Sequence, residues 1–243
     1  MKKKYKVLAV VAARGGSKGI KNKNLKKIGN QPLVLHVIKT LSLIKNIDTI
    51  CLSSDSLKIT NVVQKKFPNI QIDLREKKLS GDKVPLTSVA KSVCEKYNKN
   101  GKYHDIILQV APTCPFIKKK TVELIIQKLI NKESNCAVTL KRIEHEHPYR
   151  AKEIYKKNYF ISLIKNINVE KFISRQDLPE FYCTSGSIYA RTNKLLSTFD
   201  EKDFCLGKYP IGIIVDDYEA INIDRPIDLE FANFIAKKYK INF

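Results

Sequence analysis

The sequence predicts an α/β protein built on a doubly wound, mostly parallel sheet, and three observations carry that prediction. Short apolar strands alternate with segments of helical periodicity, the pattern of parallel βαβ units. A turn rich in glycine and cations, Arg14 to Asn24, directly follows the first apolar run. The 243 residues, 43% of them hydrophobic, suffice to bury one sizeable core. A single domain over 1–243 is therefore expected, with no linker composition to divide it.

Val7 to Ala13 reads as a buried strand, followed by a long basic loop to about Gln31. Pro32 suits a helix start, and Leu33, Leu35, Val37, Ile38, Leu41 and Ile44 recur at helical spacing. Thr49 to Ser54 is a second strand, Asp55 or Ser56 caps a helix to about Phe67, and Ile70 to Leu74 is a third strand. A helix around Ser88 to Tyr97 leads to strand Asp105 to Val110, helix Thr121 to Ile130 and strand Cys136 to Leu140. In such Rossmann-like sheets ligands sit beyond the carboxyl ends of the strands, where the Gly15 loop, Asp55, Arg75 and the Pro112 loop would converge. After Lys141 the rhythm changes, and short alternating pieces such as Tyr159 to Leu163 read as hairpin strands leaving the main sheet, in an inserted lobe at about 144–186. Regular structure resumes at Ser187, with a strand Ile211 to Val215 and a last helix from Pro226 to Tyr239 capped by Asp224.

The turn after the first strand reads as a polyphosphate cradle. Its glycines let the backbone approach an anion and aim N–H groups at it, while Arg14, Lys18 and Lys23 supply charge. A P-loop is excluded, because Gly15 to Gly19 cannot be laid on Gly-x-x-x-x-Gly-Lys-Ser/Thr. A dinucleotide fingerprint fails as well, since its first glycine falls on Arg14 and the acid expected about 20 residues on is missing. The long basic loop suits a nucleotide whose phosphates react.

Other features bound the function. Cys51, Cys94, Cys114, Cys136, Cys183 and Cys205 are scattered without Cys-x-x-Cys spacing, which argues against zinc and reads as buried thiols of a reducing compartment. His145 and His147 flank Glu146, and a loop of solvated or phosphate-facing side chains explains them as well as a metal pair does. The formal charge of +21 raises nucleic-acid binding as an alternative, but the lysines are dispersed and not gathered on one element. No apolar run approaches the roughly 18 residues of a membrane span, so no membrane or nucleic-acid partner and a cytoplasmic location are expected.

The segment ARGGSKGIKNKN resembles the signature ARxGSKGxxxKN of the CMP-sugar synthetases, the acylneuraminate cytidylyltransferase family. Ser53 to Asp55, PTCP at 112–115, SRQDLP at 174–179, SGSIY at 185–189 and AINIDRPIDLEFA at 220–232 are similar to further family blocks in family order. The resemblance implies a nucleotide-diphospho-sugar transferase type of fold and an Mg2+-dependent transfer of CMP from CTP to an acidic keto sugar such as sialic, legionaminic or pseudaminic acid. CMP-Kdo synthetase is the nearest enzyme alternative. It further implies that Ala13, Arg14, Gly15, Gly16, Ser17, Lys18, Lys23, Asn24 and Arg75 bind nucleotide. Arg14, Lys18 and Asp224 are the implied catalytic residues, and Asp224 and Asn222 the metal residues. Ala111, Arg150, Arg175, Gln176 and Ser185 fall at sugar positions, with the lobe making a homodimer that shares the sugar pocket. The family's first metal acid is here Asn222, its pocket glutamine is Ala111 with Gln109 two residues earlier, and its Asn-Gly-Ala is Ser185, Gly186, Ser187. No general base is singled out; Asp217 stands only as a candidate.

Overall fold

The computed structural model describes residues 5–239. The chain runs through β1 (Val7–Ala12), the short pair β2 (Lys27–Ile28) and β3 (Gln31–Pro32), α1 (Leu33–Ser42), β4 (Thr49–Ser54), α2 (Leu57–Lys66) and β5 (Gln71–Leu74). It continues through α3 (Leu86–Lys99), β6 (Ile106–Val110), α4 (Lys119–Ile130), β7 (Cys136–Arg142), the hairpin β8 (Lys152–Tyr155) and β9 (Tyr159–Ser162), β10 (Tyr182–Thr192), α5 (Asn193–Ser197), β11 (Ile211–Ile214) and α6 (Pro226–Lys238).

Seven strands form one sheet in the order β11-β7-β10-β6-β1-β4-β5. β1 pairs in parallel with β4 on one side and β6 on the other, so the winding reverses beside β1. β10 runs antiparallel to both β6 and β7, making the sheet mixed at that side. Because successive side chains on a strand point to opposite faces, β1 feeds two cores. Val7, Ala9 and Val11 pack with Val34, Val37 and Ile38 of α1, Ile59 of α2 and Ile125 of α4. Leu8 and Val10 pack with Ala90 and Val93 of α3. A third cluster joins Ile20 of the basic loop to Ile28, Leu33, Phe116, Ile223 and the α6 residues Ala232, Ile235 and Ala236. That cluster brings the last helix against the loop after the first strand. Emptying it by one Leu33→Ala change costs about 2–5 kcal/mol, the range for a buried leucine.

The expected elements occur in the expected order, while β2 and β3 within the basic loop and the short α5 are not among those expected, and three local expectations are corrected. β10 starts at Tyr182, not near Ser187, and pairs at once with Arg142 of β7, because its first residues extend the sheet instead of belonging to the lobe. The α6 start is capped by Asp228, whose carboxylate accepts from the N–H groups of Asp224 (3.1 Å) and Arg225 (2.8 Å); Asp224 points elsewhere. Neither Asp55 nor Ser56 caps α2 through its side chain. Five of the six cysteines are buried small hydrophobes, and burial pushes Cys51 and Cys114 up to about 12. Among the described residues no helix is long and apolar enough to cross a membrane.

Candidate active site

The loop after β1 is held by bonds that reach across the whole chain. Ala13 N–H still bonds Ser53 O of β4 (3.0 Å) as the loop departs. Asp55, just beyond β4, accepts from Gly15 N–H at 2.7 Å. Asn24 is buried and its amide donates to Arg14 O at 2.9 Å, while its Oδ1 lies buried without a bond. Ser17 N–H turns back to Gly15 O (3.2 Å). Gly16 has open space where a side chain would be, the side on which a ligand can meet backbone. At Gly19 a Cβ would lie 2.3 Å from Asp224 O, so only glycine lets the two loops touch.

That contact brings the two ends of the sequence together. Lys23 Nζ donates to Asp224 Oδ1 (2.7 Å) and to Ile223 O (2.8 Å). Asn222 Nδ2 donates to the other carboxylate oxygen of Asp224 at 2.9 Å. Ile223 N–H bonds Thr113 O (2.9 Å), fastening the Pro112 loop to the same place. The Asp224 carboxylate, free of the capping role, faces the site. With one carboxylate and one neutral amide, this donor set suits a hard divalent cation that takes its remaining oxygens from phosphate and water. Among the described residues no group of three or more His, Cys, Asp or Glu gathers to hold a metal. His147 is excluded by its own bonds: it is buried, stacks on Phe181 at 4.8 Å, and its ring nitrogens meet Pro179 O and Tyr149 N–H. This corrects the solvated or phosphate-facing reading for His147.

Two cation pairs are held by carboxylates that the sequence reading missed. Asp82 bridges Arg14 Nη1 (2.5 Å) and Lys18 Nζ (2.6 Å), and these partners hold its carboxyl below the usual carboxylate range. Glu144 pairs with Arg175 Nη2 (2.6 Å) and Arg142 Nε (3.4 Å). The signal for Asp82 is only a Gly-Asp turn ahead of α3, and for Arg142 the strand runs two residues further than its apolar pattern.

A cleft of about 790 Å³ is lined among others by Asp224, Asn222, Asp217, Arg142, Glu144 and Ser185; the glycine loop meets its wall through the Lys23–Asp224 bond and Arg175 through Glu144, while Arg14, Lys18 and Asp82 lie outside its lining. Ser185 and Ser187 flank Gly186, whose φ of +77° accompanies a shift in the β10 register, and both hydroxyls turn to Thr139 Oγ1 (2.7 and 2.8 Å). Ala111 is buried, with its N–H on Ser187 O (2.9 Å). Gln109 is committed to Thr87 and to the buried Arg191 (3.2 Å), so it does not replace the missing glutamine at the cleft. Arg75 is buried and not solvated, with Nη2 on Ser53 O (2.6 Å). Arg150 and Gln176 are exposed on the lobe and do not line the cleft.

The chain that carries this arrangement is similar to known proteins along most of its length. A family described as cytidylyltransferase matches residues 8–211. The chain belongs to the cytidylyltransferase family. It is therefore a nucleotidyltransferase enzyme. It is 27% identical to a pseudaminic acid cytidylyltransferase of Campylobacter jejuni, over 98% of this chain and 97% of that protein. It is 28% identical to a CMP-N,N'-diacetyllegionaminic acid synthase of Legionella pneumophila, over 92% and 93% of the two chains. A solved CMP:2-keto-3-deoxy-manno-octonic acid synthetase complexed with CTP shares the fold at a TM-score of 0.71 and 17% identity, covering 96% of this chain and 99% of the other.

Proposed function

We propose that this cytidylyltransferase joins CTP to a nonulosonic acid of the sialic, legionaminic or pseudaminic type, with Mg2+, giving the CMP-sugar and pyrophosphate for surface glycan assembly. The observation that carries the reading is the bond from Lys23 of the glycine loop to Asp224, which lines a cleft that Arg142 and Glu144 also line, with Arg175 held on Glu144. The names of the relatives support it.

In the proposed reaction the sugar's anomeric hydroxyl oxygen forms a bond to the α-phosphorus of CTP while the bond from that phosphorus to the bridging oxygen breaks. Pyrophosphate leaves with the electron pair, and the hydroxyl proton passes to a base at the cleft, for which Asp217 is the candidate. Charge builds on the phosphoryl and leaving oxygens, so prepositioned donors contribute most. Lys18 and Arg14 take the phosphates in place of Asp82, and Gly15 to Ser17 present backbone. Asp224 and Asn222 would hold the Mg2+, which when bound supplies charge neutralisation across the triphosphate. Lys23 holds the Asp224 carboxylate in place through their ion pair. Arg175, with Arg142, takes the sugar carboxylate in place of Glu144; a bidentate guanidinium fits that group.

The lobe is proposed to pair with a second copy of the chain. Its hairpin exposes Ile154, Tyr159 and Phe160, an apolar surface of the kind that marks an interface, and pairing gives Arg150 and Gln176 a neighbour's sugar pocket to serve. A cytoplasmic location fits a CTP-consuming step. The test is pyrophosphate release from CTP and Mg2+ with a panel of keto-acid sugars including 3-deoxy-manno-octulosonate. Release with nonulosonic acids is expected; release with the octulosonate alone, or with no sugar at all, overturns the reading.

A further inference from the structure

Against the start of the loop after β1, where Ala13 N–H bonds Ser53 O, lies a polar chain within the sheet. Ser53 of β4 and Asp73 of β5 are register partners, and Ser53 Oγ donates to Asp73 Oδ2 at 2.7 Å. A hydroxyl has one proton, so a Ser53 that gives it to the carboxylate turns a lone pair to Arg75 Nε, 3.2 Å away. Arg75 Nη2 also donates to Ser53 O at 2.6 Å. Asp73 is held in turn by Lys96 Nζ on its other oxygen (2.7 Å). Ser53 is fully buried and Arg75 nearly so, which makes each of these bonds costly to leave unmade. The Arg75 guanidinium lies within the field of Asp55 and Asp73, which favour its charge, and of Arg14, which opposes it; burial is the largest effect and lowers its pKa. It thus stands beside the phosphate loop. Nε and Nη2 are committed to Ser53, and Nη1 makes no bond among the described residues.

We propose that Ser53 and Asp73 are positioning residues for the nucleotide, a relay that fixes the Arg75 fork so that Nη1 is left to meet it. This rests on the reading of Arg75 as a nucleotide contact. The relay explains why a cation is buried under the site with a serine as its nearest partner: the carboxylate one bond further away sets its direction without neutralising it by direct contact. Lys96 keeps Asp73 from swinging onto the guanidinium.

The test is a double-mutant cycle in the pyrophosphate-release assay, with thermal unfolding as a check on folding. R75K is expected to raise KM for CTP tenfold or more with kcat within about twofold, since lysine keeps the charge and loses the fork. S53A and D73N are expected to raise the same KM about three- to tenfold, and S53A added to R75K to change it no further. A merely structural role for Ser53 would lower the active fraction, hence kcat, and leave KM alone. If R75K raises KM but S53A and D73N do not, or if S53A adds in full to R75K, the relay is wrong. If R75K itself leaves KM unchanged, the nucleotide reading of Arg75 is what fails. Should D73N lose its cooperative melt, S53A decides, because it leaves the Asp73–Lys96 pair in place.

Discussion

In the proposed function the glycine loop and the hairpin lobe both present cations to an anionic substrate, yet the chain treats them differently. In the loop, Gly15, Gly19, Lys23 and Asn24 are each fixed by a partner more than nine residues away in sequence, and Ile20 is built into a hydrophobic cluster. In the lobe, Arg150 and Gln176 are exposed, Arg175 reaches the cleft through Glu144, and the β8–β9 strands pair only with each other. If the proposed function holds, the contrast means that the groups for the nucleotide are preorganised by the fold, while those for the sugar await a further surface. Preorganised donors act on the transition state, whereas loosely held ones mainly affect binding.

The sharpest way to break this contrast is Lys18→Ala. We expect turnover to fall about 10²-fold or more, the scale of losing one charge-stabilising donor; a near-unchanged kcat in the pyrophosphate assay removes Lys18 from the chemistry. Arg175→Ala should act on the other side of the comparison, raising KM for the sugar about tenfold or more, as for loss of a charged hydrogen bond, with KM for CTP unchanged. Equal effects on both substrates would erase the division between the regions.

Asp224→Asn sharpens the loop side. The Mg2+ needed for half-maximal rate should rise about tenfold, equivalent to roughly 1.4 kcal/mol of ligand binding, with little change in Tm because Asp228 caps α6. Asp228→Ala is the control, expected to cost about 1 kcal/mol of stability as a lost cap. The opposite pattern would return Asp224 to a structural part.

The smallest effect expected is in pH dependence. His36 is buried in α1 behind the loop, and burial lowers its pKa below 6.5. A group whose folded pKa is depressed gives stability that is complete above its unfolded value and is lost as pH falls through the folded one. Thermal melts from pH 8 to 5 should therefore decline less steeply for His36→Gln than for the parent below about pH 6.5. Parallel curves would mean that His36 does not titrate with unfolding.

Most of the fold was readable because its signals are local or periodic. The apolar run of β1, the Pro32 start of α1 and the alternation of strand and helix each follow from neighbouring residues, and the elements so expected fall within a few residues of their observed bounds, whereas the two-residue β2 and β3 and the five-residue α5 are too short to show a period. The cradle was readable for the same reason, since Gly15 to Asn24 are contiguous. What escaped was pairing: the loss of Asp224 as a cap to Asp228, the commitment of Gln109 to Arg191, the burial of His147 against Phe181, and the two carboxylates Asp82 and Glu144. Each depends on which of several polar groups lies nearest in space, and no period in the chain encodes that.

By itself the sequence determined that a β-strand feeds a glycine and cation turn inside a parallel α/β sheet, because backbone freedom, charge and hydrophobic period are properties of adjacent residues. That Lys23 meets Asp224, 201 positions onward, and that Ser53 stands between Asp73 and Arg75, follows from the folded arrangement alone. Those choices belong to sheet order and core packing, which set distances between strands that the chain visits far apart, and electrostatic partners are selected by distance.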